Sequence, residues 1–247
     1  MFTTRYVIGF IFILTASVAV ALTGLREVTY KKAVQNEDIF NKRAILSAIE
    51  DYLPDGKKVG GLSDQEVSQL FEQMEQPVLN MQGETLEGVQ AENIDMAKER
   101  KKPEAERRLP LYIYEHNGEK FYILSIRGNG LWDEIWGNIA LKSDGNTVAG
   151  AAFDHKGETP GLGAEIKDNP SFPEQFQGKK LFEDGQYVSI DVVKPGARKT
   201  DHTVDGISGA TVTGDGVAEM LYRGLKYYKP FLEEIRQSEK AQGLLTQ

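Results

Sequence analysis

The chain has 247 residues, no cysteine, three histidines and a formal charge of −8, from 29 basic and 37 acidic side chains. The lack of cysteine excludes disulfides, cysteine-ligated iron–sulfur clusters, cysteine zinc sites and thiol nucleophiles. The histidines are scattered, which argues against a multi-histidine metal site, and the acidic balance argues against nucleic-acid binding. We therefore predict no bound metal and no nucleic-acid partner.

An uncharged apolar segment at 6–25 lies between Arg5 and Arg26. About twenty helical residues span roughly 30 Å, the hydrocarbon core of a bilayer. We therefore predict a short tail at 1–5 and a transmembrane helix at 6–25. A cleaved signal peptide, with a small-x-small site at 19–21, is the alternative, although the apolar run is long for one. Basic residues on both sides of the segment leave its orientation open.

We predict that residues 26–108 form a membrane-proximal helical region that ends in a charged linker. An apolar stripe over 29–53 indicates a helix leaving the membrane, and Pro-Asp-Gly at 54–56 ends it. Ser-Asp-Gln-Glu at 63–66 is the pattern of a capping box at the start of a second helix. The dense charge run at 96–108 predicts a solvated helix or loop, and contact with an acidic partner surface is the alternative.

The pattern changes to strands after residue 108. Apolar segments at 109–115 and 120–126 flank His-Asn-Gly-Glu, which predicts a hairpin. Segments at 134–141 and 147–153 flank Lys-Ser-Asp-Gly-Asn, which predicts a second hairpin. The sequence thus favours antiparallel pairing in this region.

The remaining elements are a helix or loop at 168–178, a strand at 187–193 and a long amphipathic helix from about Thr213, with Pro230 starting a further helical piece. Hairpins followed by helices are typical of an α+β fold. We predict a single N-terminal transmembrane helix followed by one soluble α+β domain at 109–247.

Small and hydroxylated residues at 205–216 precede the long helix. Free backbone N–H groups and the positive end of a helix bind phosphate well, and Ser208, Thr211 and Thr213 add hydroxyls. Simple N-capping of the helix by one of these side chains is the alternative. The segment is not a P-loop, because the Gly-Lys-Ser/Thr ending is missing.

Two further glycine turns each present an apolar side chain. Glu-Thr-Pro-Gly-Leu-Gly at 158–163 presents Leu162, and Gly-Asn-Gly-Leu-Trp at 128–132 presents Trp132. Two such side chains can cover the two faces of a flat ring. The alternatives are that Leu162 fills the core and that Trp132 is a core tryptophan.

Together, Asp-Gly-x-Ser-Gly-Ala-Thr at 205–211, Glu-Thr-Pro-Gly-Leu-Gly at 158–163 and the apolar N-terminal helix resemble the FMN-binding domain family. Members of this family carry one covalent FMN as a phosphoester on the last threonine of Ser/Thr-Gly-Ala-Thr, here Thr211. Gly-Asn-Gly-Leu-Trp and Gly-x-x-Ala-Leu at 137–141 are most similar to the C subunits of Na⁺-translocating NADH:quinone oxidoreductases. The related Rnf G subunits usually lack Gly-Leu-Trp.

The resemblance implies a flavin site and no catalytic residue in this chain alone. Its residues are Thr211 for the covalent bond and Ser208, Gly209, Ala210, Asp205, Thr159, Leu162, Gly163 and Trp132 for binding. Asp205 is implied to orient the loop or to help a transferase recognise it. Thr159 and Leu162 would line the ring and ribityl chain, and Trp132 would stack on the ring. The role of Glu158 stays open, because a carboxylate near the ring raises the energy of a reduced anionic flavin.

The resemblance also implies a membrane-anchored subunit that relays electrons from NADH towards quinone, coupled to sodium export. Its partners would be the other subunits, a flavin transferase that moves FMN from FAD, and the membrane. The family places the soluble domain on the periplasmic side of the inner membrane. The segment 6–25 has no charged residue, so sodium coupling would belong to partner subunits.

Two alternatives remain from the sequence. The first is the G subunit of an Rnf-type ferredoxin:NAD oxidoreductase. The second is a non-redox, membrane-anchored assembly or binding protein in which 205–216 only caps a helix.

Overall fold

The computed structural model describes residues 3–245, with only the backbone for 240 and 242–245, and it divides into two compact units between Asn41 and Lys42. Helix α1 runs from Thr4 to Ser47 and so continues past this boundary. Within residues 3–245 it is the one helix that is long and apolar enough to cross a membrane, with a mean hydropathy of 2.3 over its best window. That finding is consistent with a single-pass membrane anchor.

The predicted helix at 29–53 is the continuation of α1, but it ends earlier than predicted. The helix stops at Ser47, and a 3₁₀ turn at Glu50–Tyr52 follows. Leu46, Ala48 and Ile49 are buried on this stretch. The end of the α-helix and the tighter turn after it bring these closely spaced apolar side chains into the core, which one face of a regular helix cannot do.

The chain between this turn and the large sheet is built from short elements. The predicted capping box is present: the Ser63 hydroxyl accepts from the Glu66 N–H at 3.2 Å, and a Glu66 carboxylate oxygen accepts from the Ser63 N–H at 2.8 Å. The elements are 3₁₀ turns at Pro54–Gly56, Val59–Gly61, Ala91–Asn93 and Glu104–Glu106, helix α2 (Asp64–Glu72), strand β1 (Val78–Leu79) and helix α3 (Met96–Glu99).

An antiparallel sheet of five strands, in the order β1-β2-β3-β4-β5, forms the centre of the second unit. Its four long strands are β2 (Leu109–His116), β3 (Glu119–Asn129), β4 (Glu134–Leu141) and β5 (Val148–His155). Both predicted hairpins are confirmed. The first turn has Asn117 at φ 53° and Gly118 at φ 80°, the left-handed pair that a two-residue hairpin turn requires.

Shorter elements and two helices complete the fold. They are α4 (Glu165–Asp168), α5 (Ser171–Glu174), β6 (Phe182–Glu183), β7 (Gln186–Tyr187), β8 (Asp191–Val193), β9 (Thr203–Asp205), α6 (Thr211–Tyr227) and α7 (Lys229–Leu245). Strands β6 and β7 pair antiparallel, and β8 and β9 pair parallel. The long amphipathic helix begins two residues before the predicted Thr213.

The single strand predicted at 187–193 is wrong. Tyr187 ends β7, Asp191 begins β8, and Ser189 between them has φ 67°. The Ser189 N–H donates to the Leu181 carbonyl at 3.0 Å instead of to a strand partner. A left-handed residue interrupts the extended backbone, so the apolar run is divided between two sheets.

The sheet is buried on both faces. Alternate residues of β2 and β3 belong to two separate apolar clusters, as the two-residue period of a strand requires. One cluster joins Leu111, Leu124 and Ile126 to α6, and the other joins Tyr112, Phe121 and their neighbours to residues between Ile45 and Ile94. The observed architecture is the predicted α+β class, and residues 42–108 supply the cover of one sheet face.

The charge run at 96–108 is partly buried, so the prediction of a wholly solvated run is wrong. Glu99 is only 3% exposed, and its carboxylate lies 2.7 Å from Arg108 and 2.9 Å from Lys102. The Arg107 guanidinium donates to the Tyr227 hydroxyl at 2.7 Å. Glu99 is thus paired with basic residues of its own run, and Arg107 joins the linker to α6.

Candidate functional site

The three glycine-rich segments of the sequence meet at one place. Residues 128–132 form the tryptophan turn between β3 and β4, residues 158–163 form the leucine loop after β5, and residues 205–216 form the threonine segment from the end of β9 into α6. The leucine loop contacts both of the others: Glu158 bonds to Trp132 and to Thr213, and Leu162 lies against Gly209. The sequence predicted the three segments separately, and the fold brings them together.

Glu158 lies at the centre of these contacts and is 5% exposed. Its Oε1 accepts from the Trp132 N–H at 2.9 Å and from the Asp133 N–H at 3.5 Å. Its Oε2 accepts from the Thr213 hydroxyl at 2.7 Å. The backbone N–H of Glu158 donates to Nδ1 of His155 at 3.1 Å, so that nitrogen is the unprotonated one.

The carboxylate of Glu158 is ionised despite its burial. Burial by itself raises the pKa of Glu158, but donors outweigh it: the Trp132 N–H, the Thr213 hydroxyl and then the N–H groups of Asp133 and Leu131. The net effect holds the pKa of Glu158 below its ordinary value. A fixed negative charge therefore lies beside the first turn of α6, where the helix end is positive.

Thr211 is exposed and is the first residue of α6. Ala210 occupies the N-cap position, and among the described residues no side chain makes a capping hydrogen bond to this helix end. The interpretation of the threonine segment as a simple side-chain cap is therefore wrong. Ser208 and Gly209 are also exposed beside this end, whereas Thr213 is buried and its hydroxyl is committed to Glu158.

Trp132 and Leu162 both point outward, with exposed fractions of 69% and 41%. The alternatives that placed them in the core are therefore wrong. The Trp132 indole N–H donates to the Thr159 hydroxyl at 3.0 Å, which joins the tryptophan turn to the leucine loop. Leu162 lies against Gly209, where a Cβ would come within 2.9 Å of its Cδ2. The leucine loop thus contacts both neighbouring segments.

Asp205 is half-buried at the end of β9. Its carboxylate lies 2.8 Å from Nζ of Lys199, and this hydrogen-bonded lysine lowers the pKa of Asp205. The amide of Gln175 bonds both backbone groups of Asp205, at 2.9 and 3.1 Å. These contacts fix the backbone at the start of the threonine segment.

Sequence reasoning missed the residues that join the segments. Glu158 lies within one of the predicted motifs, but its contacts with the other two segments were not predicted. Lys199, Gln175 and Arg100 were also missed; Arg100 donates to the Gly128 carbonyl at 3.0 Å. The charge run that contains Arg100 indicated a basic segment but not the acceptor that Arg100 contacts. No local pattern indicated the others.

Comparisons with known proteins agree with this geometry. Residues 130–226 match the family described as FMN-binding domain, a range that includes Trp132, the leucine loop and Thr211. The C subunit of the Na⁺-translocating NADH-quinone reductase from Vibrio anguillarum is 46% identical over 117 residues, 46% of this chain and 46% of the relative. The corresponding protein from Pseudomonas aeruginosa is 39% identical over 156 residues, 60% of this chain and 58% of the relative.

Two solved structures have a similar fold. The crystal structure of the C subunit of the Na⁺-translocating NADH-quinone reductase from Parabacteroides distasonis has a TM-score of 0.71 and 38% identity, and the match covers 83% of this chain and 96% of that one. The NqrC structure from Shewanella oneidensis has a TM-score of 0.66 and 25% identity, with 80% and 99% covered.

The fold and the site together define a protein with an FMN-binding domain and an apolar N-terminal helix. Because the match covers 96% of the crystallised Parabacteroides distasonis chain at 38% identity, the chain belongs to the NqrC family, the C subunits of the Na⁺-translocating NADH-quinone reductase. The family indicated by the sequence motifs is thereby confirmed. The chain spans about half the length of the curated relatives from Vibrio that it matches.

Proposed function

We propose that the chain carries one FMN as a phosphodiester on Thr211 and serves as an electron-carrying subunit of a Na⁺-translocating NADH-quinone reductase. The observation that carries this proposal is the position of Thr211. Thr211 is exposed and is the first residue of α6, whose N-cap residue Ala210 makes no side-chain capping bond. Leu162 lies against Gly209 of the same segment, and the exposed Trp132 is bonded to Thr159 of the leucine loop.

Attachment would be a phosphoryl transfer from FAD, assisted by a flavin transferase. The Thr211 oxygen would form a bond to the phosphorus on the flavin side of FAD, the pyrophosphate bond would break, and AMP would leave. The threonine proton would pass to solvent or to the transferase. The product is a phosphodiester with one negative charge, which the free N–H groups at a helix N-terminus stabilise.

The residues around Thr211 fit a flavin. Ser208 and Gly209 are exposed beside the proposed phosphate position, Ala210 precedes Thr211 at the N-cap, and Gly163 lets the leucine loop approach α6 closely. Trp132, Thr159 and Leu162 would hold the ring and the ribityl chain, while the contacts of Asp205 fix the start of the threonine segment. The bound FMN would supply reversible electron transfer, and the protein supplies attachment and orientation.

The proposed place of the chain is at the membrane, among the other subunits of the complex. Helix α1 has an exposed apolar stretch suitable for a single-pass anchor. Relatives named as C subunits of the Na⁺-translocating NADH-quinone reductase support partnership with other subunits of that enzyme. We propose that the flavin domain lies on the periplasmic side of the inner membrane and relays electrons from NADH towards quinone during sodium export.

Loss of the Thr211 hydroxyl is the direct test of attachment. Wild-type chain made with an active flavin transferase should give a fluorescent band after denaturing electrophoresis, and its intact mass should exceed the chain mass by one FMN less one water. We expect Thr211→Val to abolish both signals, because no phosphoester can form on valine. Thr85→Val, a change of an exposed threonine outside the site, should retain both.

A wild-type chain that carries no covalent flavin under these conditions would contradict the proposed attachment of FMN to Thr211. The non-redox assembly protein would then become the better interpretation. An Rnf-type subunit would pass the flavin test equally well, and the identities of the relatives favour the NADH-quinone reductase over it. Assembly with the subunits of either complex would separate these two redox proposals.

A further inference from the structure

We propose that Glu158 is a positioning residue, which holds the tryptophan turn and the first turn of α6 at a fixed separation. This proposal rests on the proposed function, because the two elements that Glu158 joins carry Trp132 and Thr211. Glu158 would not touch the reacting phosphorus or exchange electrons. Its carboxylate would set the positions of the tryptophan turn and of the first turn of α6, which are the two sides of the proposed flavin site.

Each carboxylate oxygen of Glu158 bonds to one of these two elements. Oε1 accepts from the Trp132 N–H at 2.9 Å, and Oε2 accepts from the Thr213 hydroxyl at 2.7 Å. Thr213 follows Thr211 by two positions in the same regular helix, so fixing Thr213 fixes the first turn that carries the attachment hydroxyl. One side chain therefore connects two segments that are far apart in sequence.

The surroundings are shaped to hold this carboxylate. A Cβ on Gly130 would lie 2.5 Å from Oε1 of Glu158, and a Cβ on Gly163 would collide with Oε2 and lie 2.6 Å from the Thr213 hydroxyl oxygen. Gly130 of the tryptophan turn and Gly163 of the leucine loop itself thus leave the space that the carboxylate and its partner occupy. A carboxylate that served only solubility would not be enclosed in this way.

The charge of Glu158 strengthens both connections. Hydrogen bonds to an ionised acceptor are shorter and stronger than neutral ones. The partners of Glu158 are N–H and O–H groups rather than lysine or arginine, so the carboxylate is satisfied by the elements that it joins. Removing the side chain would leave the Thr213 hydroxyl buried without its acceptor.

Three variants separate the connection from the charge. In Glu158→Gln the amide oxygen can accept from the Trp132 N–H while the amide nitrogen donates to Thr213, so both connections persist without the charge. Glu158→Ala removes both connections, and Thr213→Val removes only the one to α6. Glu87→Gln, at an exposed glutamate outside the site, is the control for loss of one charge.

The first measurement uses the full chain in detergent, made without the transferase. The chain has two tryptophans, so a Trp136→Phe background leaves Trp132 as the sole tryptophan. We expect the fluorescence anisotropy of Trp132 to fall in Glu158→Ala, because its backbone anchor is lost. It should stay at the parent value in Glu158→Gln, Thr213→Val and Glu87→Gln. Unchanged anisotropy in a folded Glu158→Ala chain would overturn the connection to Trp132.

The second measurement is the initial rate of flavin attachment, followed by intact mass with FAD and the transferase. We expect about a tenfold slower rate in Glu158→Ala and in Thr213→Val, the scale of one lost hydrogen bond to a charged group. Glu158→Gln, which keeps both connections as weaker neutral hydrogen bonds, should give a rate between those of Glu158→Ala and wild type, and Glu87→Gln should remain near the wild-type rate. A wild-type rate in Thr213→Val would overturn the connection to α6, even if Glu158→Ala fails to fold.

The two measurements distinguish failure of this proposal from failure of the proposed function. If the wild-type chain takes no flavin, the proposed function fails and the anisotropy still decides whether Glu158 anchors Trp132. If the wild type is flavinylated and both variants behave like it, the positioning role fails alone.

Discussion

Trp132 is 69% exposed, although tryptophan is a costly residue to leave in water, and its indole is oriented by a 3.0 Å hydrogen bond to Thr159. We expect Trp132→Ala to keep the covalent flavin but to change its absorption spectrum. Loss of one aromatic contact worth about 0.5–1.5 kcal/mol would shift a two-electron potential by roughly 10–30 mV. Spectroscopic redox titration of the flavinylated chain measures this shift.

Trp136→Phe is the control, because the native Trp136 ring lies in the sheet, 4.9 Å from the Arg127 guanidinium. An unchanged spectrum and potential in Trp132→Ala would remove Trp132 from the site.

Helix α6 packs on the tryptophan turn so closely that Gly216 allows no side chain: a Cβ would collide with the Asn129 carbonyl oxygen and lie 3.4 Å from Cα of Gly130. We expect Gly216→Ala to destabilise the domain by about 1–3 kcal/mol, since overpacking outweighs the gain of up to about 1 kcal/mol in helix propensity. Gly214→Ala is the matched control, because its Cβ would meet only Val192 at 3.4 Å. Thermal unfolding in detergent should show a lower Tm for Gly216→Ala alone. Equal Tm values for the two variants would contradict the close packing.

The same elements show what could be predicted from the sequence. Local patterns predicted the capping box at Ser63 and the hairpin turn at Asn117, because each depends on residues within a few positions. The prediction that a serine or threonine side chain caps α6 was wrong, because Ala210 occupies the N-cap position and the Thr213 hydroxyl donates to Glu158. The partners of Glu158 lie 26 and 55 residues away, so no local pattern could indicate them. The sequence motifs therefore predicted the candidate site, whereas the central position of Glu158 in it is visible only in the fold.

The molecule as a whole depends on residues 42–108, whose structure was hard to predict because short turns carry little periodicity. They cover the sheet face formed by Tyr112, Tyr114, Phe121 and Ile123, all nearly fully buried. Exposing these four side chains would cost on the order of 10 kcal/mol, at about 1.5–3 kcal/mol each. That cost is comparable to the whole stability of a typical domain.

Two truncations test this dependence, and they also test the division of the chain at residue 108. A chain that starts at Lys42 keeps the second compact unit and should fold cooperatively without detergent. A chain that starts at Leu109 keeps every predicted flavin residue but exposes one apolar face of the sheet, so we expect it to aggregate or to lose its near-ultraviolet circular dichroism. If the shorter chain is monomeric and melts cooperatively at the same Tm as the longer one, residues 42–108 contribute no essential part of the core. If only the longer chain folds, the flavin site needs a domain that begins well before its first motif.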